Sequence, residues 1–224
     1  CISGISLFFA FYLDEKPPFY SASAQEATPV QQPATHHHKK YNWLIKLMLF
    51  YYVATFLALT IPLNLSLYMH NLKLGNYDIS GTLISVFFLS MTLPGLLINR
   101  IIALLKAYTN FIAIVLLTVG LIFFVFKAGM FLLGVILTGF GYGIMQPIIY
   151  DKTASHVKPS EATFVLSLVM VMNYIAIITY PFILQGIESL FSTDSAYFPF
   201  ILSTIIACCF SIFAFFRHHS ETLN

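Results

Sequence analysis

Residues 137–184 read LTGFGYGIMQPIIYDKTASHVKPSEATFVLSLVMVMNYIAIITYPFIL, and this stretch decides the fold. An apolar, glycine-rich run ends near Tyr150, a charged loop follows, and a second apolar run begins near Ala162. Each run is about 20 residues, enough to cross a hydrocarbon core of about 30 Å as a helix. The polar residues inside the two runs are few: Tyr142, Gln146, Asn173 and Tyr174. The pattern predicts a helical hairpin in a membrane, with a charged tip and an interior that faces something polar.

Composition supports the same reading over the whole chain. It is 58% hydrophobic and 9% charged, whereas soluble domains carry about 25% charged residues. The charges sit in short gaps between long apolar runs, as a multi-span protein requires. A net charge of +2 without a basic patch argues against a nucleic-acid partner. Cys1, Cys208 and Cys209 lie in apolar segments, and two adjacent cysteines on a helix are poorly placed to pair. Neither a disulfide framework nor a cofactor is implied.

Working outward from the hairpin gives six spans, at about 42–69, 78–98, 109–126, 130–150, 162–184 and 197–216. Before them, residues 14–41 form a linker rich in Pro, Ser, Ala, Thr and Gln, expected to be largely disordered. The run His36–His38 in it has no Cys or acidic partner at ligand spacing, so we read it as solvated linker and not as a metal site. Residues 1–13 are apolar but too short to span. They read as the end of a truncated transmembrane helix, and the whole as the C-terminal part of a longer protein. Tyr41 and Trp43 suit an interfacial aromatic belt. In the first span Thr60, Asn64 and Tyr68 share one face, and Pro62 should kink the helix. Asn64 has two readings, a cavity-facing group or an interhelical hydrogen bond. The third span is nearly featureless and is expected to be peripheral and lipid-facing. In the fourth, Gly139 and Gly143 provide a close-packing face that Gln146 and Tyr150 continue, and Pro147 is expected to break the helix.

Lysine and arginine counts orient the spans. Lys16, Lys39, Lys40, Lys46, Arg100, Lys106, Lys152, Lys158 and Arg217 fall on one side, and only Lys73 and Lys127 on the other. The linker, the hairpin tip and the C-terminus are therefore expected to be cytoplasmic, in an inner or plasma membrane.

Six spans after a long cytoplasmic linker resemble the C-terminal half of a major facilitator superfamily transporter. Gly95-Leu96-Leu97-Ile98-Asn99-Arg100 is similar to that family's G-x-x-x-D-R loop signature, with Asn99 in place of the acid. Gly139-Phe140-Gly141-Tyr142-Gly143 followed by Pro147 resembles its glycine-rich tenth helix. The resemblance implies an all-α, polytopic six-helix bundle, paired with an N-terminal half of the same protein. It implies alternating access for a small-molecule substrate, and it allows coupling to a proton or another ion. Gly95, Asn99 and Arg100 would then belong to a cytoplasmic gate. Candidate cavity residues are Asn64, Tyr142, Gln146, Asn173 and Tyr174. The other classes are a membrane-embedded enzyme, for which no catalytic motif such as H-E-x-x-H or G-x-S-x-G is present, and a non-transporting sensor on the same scaffold.

Overall fold

A computed structural model describes residues 37–73, 77–105, 108–126, 130–191 and 195–222. The expectations for the truncated helix and for the linker up to residue 36 lie outside the described residues. Six helices make up the described chain: α1 (His37–Asn71), α2 (Tyr77–Leu105), α3 (Thr109–Val125), α4 (Phe131–Ser155), α5 (Pro159–Phe191) and α6 (Phe198–Thr222). All but α3 are long and apolar enough to cross a membrane on their own. The 17 residues of α3 rise only about 26 Å at 1.5 Å each.

Five helices, all but α3, run past the limits that hydropathy sets. Hydropathy reports the apolar part, whereas the backbone stays helical until a capping or steric event stops it. Thus α1 begins at His37 and α5 continues to Phe191. α2 extends to Leu105, so Gly95, Asn99 and Arg100 lie on helical backbone and not in a connecting loop. Asn99 and Arg100 are exposed there. Prolines do not end the helices either. Pro62, Pro94, Pro147 and Pro181 all lie inside helices. The expected break at Pro147 is therefore corrected: α4 continues eight residues further, to Ser155. A proline costs one backbone hydrogen bond and crowds the carbonyl four residues earlier. In a bilayer, leaving further backbone groups unpaired costs more, so the helix persists.

α4 is the hub. It packs against α2, α3, α1 and α5, while α3 also packs on α6 and α1 on α5. The third span corrects a second expectation. Far from being lipid-facing, α3 buries Ala113, Ile114, Leu117, Thr118, Leu121 and Phe124 among its neighbours. Lipid tails are as apolar as leucine, so an apolar helix carries no label for which side meets protein.

Aromatic side chains pack at both ends of the bundle. At one end Tyr68 is fully buried and contacts the rings of Phe124, Phe131, Tyr197 and Phe200 at centroid distances of 6.1, 6.0, 5.3 and 4.5 Å. Its hydroxyl donates to the carbonyl of Phe124. A cavity of about 250 Å³ sits beside this cluster, lined by Tyr68, Phe124, Tyr197, Phe200 and Ser195 among others. At the other end Trp43 of α1 stacks on His156, just past α4, at 4.5 Å and 15°.

Candidate functional site

Glycine positions α4 before any polar group does. Gly139 and Gly143 are four residues apart and share a face; Gly134 and Gly141 are seven apart and share another. The first pair lies against α2. A Cβ on Gly139 would stand 2.7 Å from the carbonyl oxygen of Phe87, and one on Gly143 would overlap the backbone of Met91. The second pair lies against α3, where a Cβ on Gly141 would stand 2.6 Å from the oxygen of Ala113 and 2.7 Å from the nitrogen of Leu117. Backbones this close leave no room for a side chain, so α2, α3 and α4 form a tightly joined layer.

Toward α1 and α5 the joints are polar instead. On α1, Tyr51 and Thr55 are one turn apart. Tyr51 OH bonds Tyr150 OH at 2.9 Å, and Gln146 Nε2 donates to Tyr150 OH at 3.3 Å. Thr55 Oγ1 lies 3.0 Å from Tyr142 OH and 3.1 Å from Asn173 Oδ1, and Tyr142 OH lies 3.3 Å from the same Oδ1. This second group is a triangle of three contacts with only two hydroxyl hydrogens. The two shorter edges can be made together: Tyr142 donates to Thr55, and Thr55 donates to Asn173. Further along the seam, Thr179 donates to the carbonyl of Ile175 at 2.7 Å, so Tyr52 is the donor to Thr179 at 2.8 Å.

The candidates from the sequence fare differently. Tyr142, Gln146 and Asn173 come together in this seam with Thr55, Tyr51 and Tyr150. Tyr142 is 6% exposed, while Gln146 and Asn173 are half-buried. Asn64 lies elsewhere on α1. Its Nδ2 donates to Tyr180 OH at 2.6 Å and to the carbonyl of Thr60 at 3.1 Å, which matches the interhelical reading. Tyr174 is 63% exposed on the outer face of α5, outside the seam. Gly95 has open space around it, and it packs no helix within the described bundle. Among the residues missed were Tyr51, Thr55, Tyr52 and Thr179. The spacing of Tyr51 and Thr55 was visible, but nothing in the chain said that it faced Tyr150 and Tyr142, which lie 99 and 87 residues away.

The arrangement offers hydroxyl and carboxamide groups only. It can orient and hydrogen-bond a solute, but the seam contains no carboxylate, ammonium or imidazole. Long apolar helices joined by neutral polar seams define an α-helical, multi-pass integral membrane protein. The family model described as Major Facilitator Superfamily matches residues 1–181, which include the seam. The chain belongs to the major facilitator superfamily, whose members are typically transporters and not enzymes. Comparison with curated proteins gave no match, and neither did comparison with solved structures.

Proposed function

We propose that the chain is part of a secondary transporter that moves a small solute by alternating access, with the seam of α1, α4 and α5 as one wall of its path. The observation that supports this most is where the polar groups lie. Half-buried amides on Gln146 and Asn173 sit between helices, at a depth where the surrounding surface is apolar. Polar groups at membrane depth that face neither lipid nor a sealed core mark a pathway.

The six helices act as one half of the transporter, working with a second six-helix half. Large apolar side chains on α2 and α5, such as Leu96 at 78%, Leu104 at 82%, Phe164 at 71% and Phe182 at 70% exposure, remain to be covered by that half or by lipid. The linker and the C-terminus lie in the cytoplasm, and Gly95, Asn99 and Arg100 stand at the cytoplasmic end of α2. With no carboxylate or imidazole in the seam, a coupling proton would be carried by the other half.

Reconstituted full-length protein would be tested with radiolabelled polyols, hexoses, amino acids and carboxylates. Wild type is expected to move one class, and Gln146→Ala and Asn173→Ala to slow that flux at unchanged membrane insertion. Equal flux in wild type and both variants would remove these side chains from the pathway.

A further inference from the structure

The hydrogen count of the seam defines what the solute must offer. Asn173 Oδ1 accepts the hydroxyl hydrogen of Thr55 at 3.1 Å, and Tyr142 OH lies 3.3 Å from the same oxygen. Its orientation is fixed by those two contacts, and they point the Nδ2 group the other way with two N–H donors. Among the described residues no acceptor meets Nδ2, and it is not sealed from solvent without a partner, a state found there only at Thr204 Oγ1. Gln146 has the complementary surplus. Its Nε2 donates to Tyr150, leaving Oε1 as an accessible acceptor. Both groups lie near the same stretch of α4. Asn173 reaches Tyr142, and Gln146 is one turn further along the helix.

Resting on the transporter reading above, we propose that Asn173 Nδ2 and Gln146 Oε1 bind an uncharged, polyhydroxylated solute. A hydroxyl group both donates and accepts, so neighbouring hydroxyls on one molecule satisfy the asparagine donors and the glutamine acceptor together. A carboxylate would meet the donors but be repelled by the carbonyl of Gln146. An ammonium would suffer the reverse. Neither ion finds a counter-charge in the seam, and bringing an unpaired ion to this depth is costly. The neighbouring hydroxyls are already engaged, Tyr142 with Thr55 and Tyr150 with Tyr51, so they hold the two amides in place instead of competing for the solute.

The test uses the full-length protein in lipid nanodiscs and follows its thermal unfolding midpoint. The added probes are glycerol, sorbitol, glucose and sucrose, against lactate, glutamate and choline. Binding gives a stabilisation that saturates with concentration, whereas exclusion of a polyol from the protein surface does not saturate. Wild type is expected to show a saturable rise with at least one neutral probe and with none of the ions. Asn173→Leu, which removes the donor pair, is expected to weaken the apparent affinity about 10-fold, the value of one to two lost hydrogen bonds. Gln146→Met leaves the triangle of Thr55, Tyr142 and Asn173 intact, so it serves if Asn173→Leu fails to fold, and about a 5-fold weakening is expected. Saturable stabilisation by an ion, or by no neutral probe, overturns the proposal. If Asn173→Ala and Gln146→Ala still slow flux in that case, only the solute class is wrong. If flux is also unchanged, the pathway reading falls with it.

Discussion

The two sides of α4 are built from different materials. Toward α2 and α3 it presents glycines, and backbone meets backbone with no space to spare. Toward α1 and α5 it presents Tyr142 and Tyr150, whose hydroxyls meet Tyr51, Thr55 and Asn173, with Gln146 bonded to Tyr150 on α4 itself. A glycine joint resists separation, because its dispersion contacts are lost over a gap of less than 1 Å. A hydrogen bond between membrane helices contributes only about 0.6 kcal/mol on average, and it can be exchanged for one to water or to a solute. The same helix thus has a side suited to staying together and a side suited to opening.

The largest expected effect tests the rigid side. Gly143→Ala places a methyl group into the backbone of Met91, which cannot move aside as a flexible side chain would. We expect a loss of about 3 kcal/mol, the upper part of the usual range for overpacking, read as a lower unfolding midpoint in detergent. Gly141→Ala, against Ala113 and Leu117, should behave alike. A near-neutral result at both positions would mean that the layer of α2, α3 and α4 is looser than its geometry.

A smaller effect is expected on the polar side. Tyr142→Phe removes a hydroxyl that is shared between Thr55 and Asn173. The remaining pair can still bond, so the cost should be about 1 kcal/mol. A double-mutant cycle with Asn173→Ala should show coupling of about 0.5 kcal/mol or more. Additive losses would show that the triangle is a coincidence of position.

Glycines outside both joints give the control. A Cβ at Gly81 or Gly95 meets nothing within 4 Å. Alanine at either position should leave stability unchanged or raise it by up to about 1 kcal/mol, since glycine is the costlier residue inside a helix. Destabilisation at Gly95 would point to a partner surface covering it. The smallest effect is optical. Trp43 is the only tryptophan in the sequence, and it stacks on His156. His156→Ala should change its emission intensity while altering stability by no more than about 0.5 kcal/mol, as for other exposed positions.

Much of this comparison was legible in the sequence, though unevenly. Six apolar segments, and the helical face shared by Gly139 and Gly143, follow from length and spacing alone. Helix ends were not legible, because hydropathy falls off before the backbone does. That is why Asn99 and Arg100 were assigned to a loop and Pro147 to a break. The burial of α3 was hidden because an apolar surface is equally suited to lipid and to protein. Tyr142, Gln146 and Asn173 stood out as polar residues in apolar runs. Their partners Thr55 and Tyr51 did not, because a threonine or tyrosine in a membrane helix is ordinary until its distant neighbour is known. Asn64 stood out for the same reason as Asn173, and its bond to Tyr180 joins α1 to α5 at another point.

The most direct test of the account is whether water reaches Asn173. In a background with Cys1, Cys208 and Cys209 replaced by alanine, a single cysteine would be placed at Asn173, at buried Ala176 on the same helix, or at Phe213, which is 65% exposed on the apolar surface of α6. Each variant, in sealed vesicles, would be treated with a charged methanethiosulfonate that cannot enter lipid. The account predicts rapid modification at position 173 and none at 176 or 213. A position 173 as inert as the other two would contradict it, leaving the seam of α1, α4 and α5 a closed structural joint.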